Sequence, residues 1–286
     1  MRIRLFVTAT VVAALALTVI NAESAQATPR PAVPKPIGCA ACWHPALRSS
    51  WTYELAQPPT APYRHVAVYD VDGFDTTAST VAALHANGSK VVCYLSAGTY
   101  EDWRPDAGSY PKAVLGMSNG WPGERWVDIR ELQKGVSTLR SIIDTRLRMC
   151  RSKGFDAADL DNMDAYSNAS GFAVSAQDQL FFNETLANDA HRFGLSVLQK
   201  NDLEQIPVLR HYFDGAVNEQ CNEYNECTTT QNGAYGLDQY VAAGKPVFQV
   251  EYSLAPANFC PADNANDFNG ALLSIHLDES VYHACR

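Results

Sequence analysis

Short apolar runs alternate along the chain with longer segments in which apolar residues recur every three or four positions. Most of these runs are continuously hydrophobic, which is typical of strands that are covered on both faces by helices. We predict eight strands from them, at residues 65–71, 90–95, 126–129, 155–160, 196–199, 213–217, 246–250 and 271–276.

The segments with helical spacing lie between these runs, and a glycine follows most of them. Glycine just past the last periodic residue is a common helix stop, as at Gly154 and Gly194. We predict helices at residues 76–87, 131–153, 175–193, 202–212 and 235–243. The alternation of strands and helices predicts parallel strands joined by right-handed crossovers.

Eight such units within residues 37–286 predict an α/β fold, a single-domain (β/α)8 TIM barrel. A doubly wound open sheet is the alternative. The count of eight strands, and the lack of a Gly-x-Gly-x-x-Gly loop after the first of them, favour the barrel. Residues 101–125, rich in Pro, Gly, Trp and Ser, are predicted to form a long loop, and residues 28–36 a Pro-rich linker.

The first 27 residues have the three parts of a secretory signal peptide. Arg2 and Arg4 precede an apolar stretch at residues 5–20, and an Ala-Gln-Ala cleavage site ends at Ala27. A membrane anchor is the weaker alternative, because these 16 residues fall short of the ~20 that a spanning helix needs. The sequence therefore predicts a secreted, extracellular protein with no membrane segment after signal cleavage.

Removal of residues 1–27 takes away Arg2, Arg4 and Glu23 and changes the formal net charge from −9 to −10. An acidic protein is a poor partner for nucleic acid and anionic membranes, and it suits a cationic or neutral substrate. We expect a monomer with no nucleic-acid partner.

All eight cysteines lie in the predicted mature chain, at positions 39, 42, 93, 150, 221, 227, 260 and 285. An even number in an oxidising compartment favours disulfides, but eight cysteines allow 105 connectivities. Short spacing makes Cys39 with Cys42 and Cys221 with Cys227 the convenient local pairs. A zinc site at Cys39-x-x-Cys42 is disfavoured, because no second Cys or His pair follows at a suitable spacing.

Polar groups gather where the predicted strands end, which is where TIM barrels carry their active sites. The densest group follows the fourth strand, where Asp159, Asp161 and Asp164 fall within six residues. Such carboxylates resist burial unless donors or cations accompany them. An acidic, solvated turn with helix caps is the alternative for any one group. The other strand-end residues are Asp70, Asp72, Tyr94, Asn162, Lys200, Asn201, Asn218, Glu219, Glu251 and Tyr252.

The sequence disfavours several other chemistries. It has no Gly-x-Ser-x-Gly elbow, its seven histidines are scattered, and neither acidic cluster fits a calcium-binding loop with its closing Glu. We therefore expect no metal and no cofactor. Carboxylates supported by amides, tyrosines and a lysine suit the hydrolysis of a glycosidic bond. Trp103, Tyr100, Trp121 and Tyr166 are candidates for stacking on sugars, although ordinary loop packing explains any one of them equally well.

Ordered motifs extend this interpretation: Trp51-x-Tyr53-x-Leu55, Tyr69-Asp70-x-Asp72, Cys93-Tyr94-x-Ser96-Ala97-Gly98, Gly154-Phe155-Asp156 leading to Asp161-Asn162-x-Asp164, Lys200-Asn201, Asn218-Glu219-x-Cys221 and Val250-Glu251-Tyr252. With these motifs, residues 51–252 resemble glycoside hydrolase family 114, the secreted endo-α-1,4-polygalactosaminidases, which are (β/α)8 barrels. The chain departs from the family at Ala157-Ala158, where Gly-Val is usual, and in having Glu101 after Thr99-Tyr100.

The resemblance implies that Asp161 and Glu219 form the catalytic pair, with Asp161 as nucleophile or base and Glu219 as general acid/base. A separation of ~5 Å between the two carboxyl groups predicts retention of anomeric configuration, and ~6.5 to 9.5 Å predicts inversion. The implied substrate is a cationic galactosamine polymer. A non-catalytic carbohydrate-binding barrel and a glycosidase of another sugar polymer are the alternatives. The residues expected to line the sugar subsites are Asp70, Asp72, Tyr94, Asp159, Asn162, Asp164, Lys200, Glu251 and Tyr252.

Overall fold

The computed structural model describes Ala32 and residues 35–286. The predicted signal peptide, residues 1–27, and most of the predicted linker lie outside these described residues. Contacts with the domain begin in the linker, because the backbone oxygen of Lys35 accepts a hydrogen bond from Asn188 and the Ile37 N–H donates to the same side chain. In the described part of the chain, no helix combines the length and the hydrophobicity needed to cross a bilayer.

Eight parallel strands surround a common interior, in the order β1-β2-β3-β7-β8-β9-β10-β11. At the seam between the first and last of them, the indole of Trp51 donates to the backbone oxygen of Asn269 at 2.6 Å. The prediction of a single-domain TIM barrel is confirmed. The strands are β1 Trp51–Glu54, β2 Val68–Asp72, β3 Lys90–Ser96, β4 Thr99–Glu101, β5 Leu115–Ser118, β6 Glu124–Val127, β7 Ala157–Asp161, β8 Ser196–Lys200, β9 Gly215–Glu219, β10 Val247–Glu251, β11 Asn269–Leu273 and β12 Tyr282–Ala284, which pairs antiparallel with β11.

Helices cover the outside of the barrel, and the two longest have well-defined ends. Ser175 caps the third helix in a reciprocal pair of hydrogen bonds with Asp178, and Gly154 ends the second helix at φ 96°. The predicted helices at 131–153 and 202–212 are only partly helical, because short 3₁₀ turns form their first parts. The helices are α1 Ala78–Ala86, α2 Thr138–Lys153, α3 Ala176–Arg192, α4 Ile206–Leu209, α5 Thr229–Asn232, α6 Asp238–Ala242 and α7 Pro256–Ala265.

The prediction of a barrel strand at residues 126–129 was wrong, and β1 was missed. β6 pairs antiparallel with β4 and β5 in a small sheet, which is inserted between β3 and α2 and occupies the predicted loop at 101–125. β1 was overlooked because its sequence, Trp-Thr-Tyr-Glu, alternates apolar and polar residues instead of forming a continuous apolar run. One barrel strand was missed before β2 and one was wrongly predicted after β3. The fourth and sixth barrel strands, β7 and β9, are therefore still the expected ones.

The barrel interior is apolar at its base and polar at the carboxyl ends of the strands. Ala157 belongs to the apolar cluster inside the barrel, whereas Ala158 and Leu160 belong to the cluster beneath the helices. Side chains alternate along a strand, so Asp159 and Asp161 share the inward face with Ala157. Each Leu, Val or Phe buried in these clusters contributes about 1.5–3 kcal/mol. The apolar layers thus support carboxylates that face inward above them.

Four disulfides account for all eight cysteines. The two predicted local pairs, Cys39–Cys42 and Cys221–Cys227, are confirmed. Cys93–Cys150 joins β3 to α2 across 57 residues, and Cys260–Cys285 joins α7 to the C-terminal segment across 25 residues. In the chain-entropy view, loops of these lengths stabilise the fold by roughly 4 and 3.5 kcal/mol.

Candidate active site

One cavity of about 570 Å³ opens at the carboxyl ends of the barrel strands. The polar strand-end residues converge there, as expected of a TIM barrel. Asn201, which the subsite prediction did not include, also lines the cavity. The predicted site residues in its lining are Asp72, Tyr94, Asp161, Asn162, Asp164, Lys200, Glu219 and Tyr252.

Lys200, at the end of β8, links the two carboxylates of the predicted catalytic pair. Its Nζ lies 3.0 Å from Asp161 Oδ1 and 3.3 Å from Glu219 Oε2. These two oxygens can therefore be no farther apart than the sum of the two distances, about 6.3 Å. The lysine side chain is only 2 % exposed, whereas Asp161 and Glu219 are 19 % and 27 % exposed, so the two carboxylates are the more accessible partners in this cluster.

Asp161, at the end of β7, is held as an anion. Its carboxylate accepts hydrogen bonds from the Tyr94 hydroxyl at 2.7 Å and from the Asn162 backbone N–H at 2.8 Å, in addition to Lys200. Burial favours the neutral acid, but the ammonium of Lys200 and the hydrogen bond from Tyr94 outweigh it, and the pKa of Asp161 lies below its usual value. An ionised carboxylate at the cavity floor suits a nucleophile.

Glu219, at the end of β9, is held by the residues that directly follow β8 and β10. Its carboxylate accepts hydrogen bonds from the Tyr252 hydroxyl and from Asn201 Nδ2, the latter at 3.2 Å. Its own backbone N–H donates to Asn201 Oδ1 at 3.0 Å. Asn201 therefore orients Glu219 through both the backbone and the side chain. The sequence signal was present, since Asn201 directly follows Lys200, but it does not reveal which side chain the asparagine contacts.

The residues that directly follow Asp161, Lys200 and Glu219 each have a left-handed backbone conformation. The φ angles are 61° at Asn162, 46° at Asn201 and 63° at Gln220. Asparagine tolerates this conformation better than most residues, which is consistent with its use at two of the three positions. The close turn after Asp161 also requires Gly98, because a Cβ at that position would lie 1.7 Å from the backbone oxygen of Asn162.

The wall formed by β2 and the inserted sheet is organised around Arg104. The Asp72 carboxylate accepts from Arg104 Nη1 at 3.1 Å and Nη2 at 2.5 Å, and from the backbone N–H groups of Phe74 and Asp75 at 2.8 Å each. Arg104 Nε donates in turn to Glu101 at 2.8 Å. Asp72 lies in the cavity lining as predicted, but its oxygens are already used to hold this wall together.

Asp70, Asp159 and Glu251 lie outside the cavity lining, which corrects the prediction that they line sugar subsites. Each is at most 1 % exposed. Asp70 and Asp159 precede Asp72 and Asp161 by two residues on the same strand faces, so they form the layer beneath. Glu251 points away from the barrel interior, because Val250 and Tyr252 face inward on either side of it, and it accepts from the Asn222 N–H at 2.9 Å.

Two tryptophans give the cavity an exposed aromatic rim. Trp103 and Trp121, both candidates for stacking on sugars, line the cavity and are 53 % and 52 % exposed. The other two candidates are engaged elsewhere. Tyr100 packs edge-on against Tyr110 at 5.5 Å between ring centres, and the Tyr166 hydroxyl donates to Asp202.

Sequence reasoning missed a wall of the cavity near β1. Leu55, Ile275, His276 and Leu277 line it, and the backbone oxygen of Leu277 accepts a hydrogen bond from the Leu55 N–H at 3.0 Å. Ile275 and His276 fall in the predicted strand at 271–276, but β11 ends at Leu273, and no local signal indicates that the residues beyond it contact Leu55.

Asp164 contributes a charge to the cavity without a matching cation. It forms no ion pair with any described residue. Burial, and then the charge of Asp161, raise its pKa to about 6. Asp75, also in the lining, lies 3.8 Å from Arg104 and is largely exposed. These carboxylates give the cavity a negative potential that attracts cations.

Comparison with known proteins places this geometry in context. The profile described as "Glycoside-hydrolase family GH114" matches residues 35–286. The crystal structure of Aspergillus fumigatus Ega3 in complex with galactosamine is similar at 32 % sequence identity and a TM-score of 0.78, covering 88 % of this chain and 100 % of that one. The glycoside hydrolase domain of PelA from Pseudomonas aeruginosa is similar in fold, at 16 % identity and a TM-score of 0.60, covering 82 % and 98 %. A search of curated proteins gave no match.

Proposed function

The chain belongs to glycoside-hydrolase family GH114, and from this premise we propose that it is a secreted endo-glycosidase that hydrolyses α-1,4-linked, galactosamine-rich polysaccharide with two carboxylates. Family membership makes the protein a glycoside hydrolase. The substrate, the endo mode, the mechanism and the secretion are the proposed parts. The observation that carries the mechanism is the bridge that Lys200 makes between Asp161 and Glu219.

The proposed reaction retains anomeric configuration. Retaining enzymes place their carboxyl groups ~5–5.5 Å apart and inverting enzymes ~6.5–9.5 Å apart. The bound of about 6.3 Å on one pair of oxygens favours the retaining arrangement. Asp161 attacks the anomeric carbon while Glu219, in its acid form, donates a proton to the departing oxygen. Glu219 then removes a proton from water, which attacks the glycosyl ester and releases the Asp161 carboxylate.

A galactosamine polymer fits the charge of the cavity. The amino sugar carries an ammonium at neutral pH, and Asp164 and Asp75 offer carboxylates to it. Ega3 was crystallised in complex with galactosamine, which supports the same class of ligand for this chain. Trp103 and Trp121 extend the site along the rim, where they would stack on sugar units beyond the cleaved bond and so favour attack within a chain.

Secretion is supported by two features of different origin. Residues 1–27 have the pattern of a signal peptide. Four disulfides use every cysteine, which is characteristic of proteins that fold in an oxidising compartment. Finding the cleaved protein in the culture medium of expressing cells tests this part of the proposal.

The catalytic assignment is tested with purified protein and partly de-N-acetylated α-1,4-galactosaminogalactan. Wild type is expected to release oligosaccharides whose new reducing ends first appear as the α-anomer by proton NMR. Asp161→Asn and Glu219→Gln each remove one catalytic carboxylate, so each is expected to lower kcat by at least about 10²–10⁴-fold. Glu223→Gln is the matched control, because this exposed carboxylate near Glu219 is outside the cavity lining.

Each other outcome identifies a different function. Binding of the polymer without new reducing ends would make the chain a carbohydrate-binding barrel. Cleavage of another polysaccharide in a panel, with none of this one, would change the substrate and keep the mechanism. Wild-type rates in both carboxylate variants would overturn the catalytic assignment.

A further inference from the structure

A pair of buried carboxyl groups lies directly beneath the catalytic layer. Asp70 on β2 and Asp159 on β7 are 1 % and 0 % exposed, and their carboxyl groups lie within interaction range of each other. Within the described residues, no conventional N–H or O–H donor reaches either oxygen of Asp70 or Oδ1 of Asp159. The remaining oxygen, Asp159 Oδ2, accepts a hydrogen bond from the Tyr53 hydroxyl at 3.2 Å.

Two neighbouring ionised carboxylates, with three oxygens lacking donors, would be very costly in a buried site. A proton held between the two groups removes one of the charges and supplies the missing donor. The pair connects upward through Tyr53, because Lys200 Nζ donates to the same hydroxyl at 3.2 Å. Lys200 thus lies between the buried pair below it and the catalytic carboxylates above.

Resting on the proposed roles of Asp161 and Glu219, we propose that a proton shared by Asp70 and Asp159 keeps the Lys200 ammonium directed at the catalytic pair. With the proton in place, the buried pair carries at most one negative charge, and Lys200 stays with the two carboxylates that border the cavity. Loss of the proton would place a second negative charge beneath Lys200 and draw the ammonium downward. Asp70 and Asp159 are therefore positioning residues, with no contact to substrate.

The charges around the pair agree with this arrangement. Burial, and then the neighbouring Asp159, raise the pKa of Asp70 well above its usual value. Burial raises the pKa of Asp159 to about 7, although Lys200 opposes it. The groups that face the pair are Tyr53 on β1, Tyr94 on β3, Asp161 on β7, Lys200 on β8, Glu219 on β9 and Tyr252 beyond β10.

Infrared spectroscopy detects the proton without any substrate. A protonated carboxylic acid absorbs in its carbonyl stretch, away from the ionised carboxylate bands. The difference spectrum of wild type minus Asp70→Asn at neutral pH is expected to contain this band. Its absence would overturn the proposal. Since no turnover is needed, this result is independent of whether the proposed substrate is cleaved.

Thermal unfolding provides a second substrate-free test. The folded protein retains a proton that the unfolded chain releases above pH ~4, so wild-type stability declines as pH rises from ~4 through the raised pKa values. Asp70→Asn replaces the shared proton with an amide N–H that does not titrate. Its Tm is therefore expected to rise relative to wild type over this range, and parallel curves would contradict the proposal.

Steady-state kinetics then distinguish whether Asp70 is needed as a hydrogen-bond donor to Asp159 or only to fill space. Asp70→Ala leaves Oδ1 of Asp159 without a donor, so the kcat of this variant is expected to fall at least ten-fold further than that of Asp70→Asn. Equal losses in the two variants would contradict a shared proton. Glu184→Gln is the matched control, because this buried carboxyl on α3 has a pKa raised to about 7 but lies outside the cavity lining. It is expected to change the pH dependence of stability and leave kcat unchanged.

Discussion

On one wall of the cavity a cation and its two closest carboxylates are all buried, whereas on the other the cation is buried and its carboxylates are partly exposed. Arg104, Asp72 and Glu101 are 6 %, 5 % and 4 % exposed, so this cluster is closed to solvent. Lys200 is 2 % exposed, but Asp161 and Glu219 are 19 % and 27 % exposed. Each cluster joins a buried cation to at least two carboxylates, and the clusters differ in how exposed those carboxylates are.

The comparison indicates what separates a structural carboxylate from the proposed catalytic ones in this site. Asp72 already accepts four hydrogen bonds and is only 5 % exposed, which leaves it little capacity to contact a substrate. Asp161 is stabilised as an anion from below and from the side, which leaves it accessible from above. The exposure of the carboxylates, more than the number of charges, thus distinguishes the proposed catalytic pair.

Replacing Lys200 by Met is expected to have the largest effect. It removes the cation from a buried network, so the free energy of unfolding should fall by about 3–5 kcal/mol. It also removes the preorganised charge at the reaction centre, and kcat should fall about 10²–10³-fold. The pKa of Asp161 should rise, because Lys200 is the main group that lowers it. A pH–rate profile checks this through an acidic limb displaced to higher pH.

Lys200→Arg is the matched variant for this experiment. It keeps the charge but replaces a compact ammonium with a planar guanidinium, so it should restore the acidic limb more than kcat. An unchanged acidic limb in Lys200→Met would contradict the role assigned to this lysine.

Replacing Arg104 by Met should affect stability without a comparable effect on chemistry. Breaking the buried contacts with Asp72 and Glu101 is expected to cost about 3–5 kcal/mol of unfolding free energy. At temperatures where the variant is folded, kcat should stay within a few-fold of wild type. Urea unfolding and steady-state kinetics measure the two quantities. Arg125→Met, at an exposed arginine of the same inserted sheet, controls for the loss of charge. A loss of kcat as large as that of Lys200→Met would remove the distinction between the two walls.

Removing single hydroxyl groups from the wall that holds Asp161 and Glu219 should have intermediate effects on kcat. Tyr94→Phe and Tyr252→Phe each delete one hydrogen bond to an acidic side chain, at Asp161 and Glu219 respectively. Such bonds are worth about 1.5–3 kcal/mol, or roughly 10–100-fold in kcat. Tyr94→Phe should also raise the pKa of Asp161 and move the acidic limb upward, whereas Tyr252→Phe should not. Tyr100→Phe is the control, because that ring packs against Tyr110 away from the cavity. An equal shift of the acidic limb in Tyr94→Phe and Tyr252→Phe would show that the two tyrosines do not act on separate carboxylates.

The sequence was sufficient for the barrel and for the position of most polar residues. A continuous apolar run followed by polar residues predicts where a strand ends. The carboxyl ends of parallel strands then lie at one face of the barrel, independently of the loop conformations. It was insufficient for β1, whose alternating pattern resembles an ordinary surface strand. It also could not distinguish Asp159 from Asp161, since both lie on the inward face and only the layering within the barrel decides which of them reaches the cavity.

Side-chain partners were the second limit of prediction. Arg104 lies in a region without periodicity, and nothing local indicates that it neutralises Asp72 from 32 positions away. The orientation of Glu251 depends on which face of β10 turns inward, and that follows from packing of Val250 and Tyr252 against the whole barrel. Such contacts depend on tertiary structure, so motifs locate the site but do not assign roles within it.

Asp164 should set the preference for amino sugars, with the smallest effect of the series. It is a cavity carboxylate without an ion-pair partner among the described residues, so Asp164→Asn should weaken attraction of an ammonium by about 1 kcal/mol, or roughly five-fold in kcat/KM on de-N-acetylated polymer. The N-acetylated polymer should be little affected. Because its pKa is about 6, the wild-type preference should increase as pH rises through 6, and the variant should lose this dependence. Asp75→Asn, at the more exposed carboxylate of the same cavity, should change the preference less. An identical pH dependence in Asp164→Asn and wild type would place amine recognition on the catalytic carboxylates themselves.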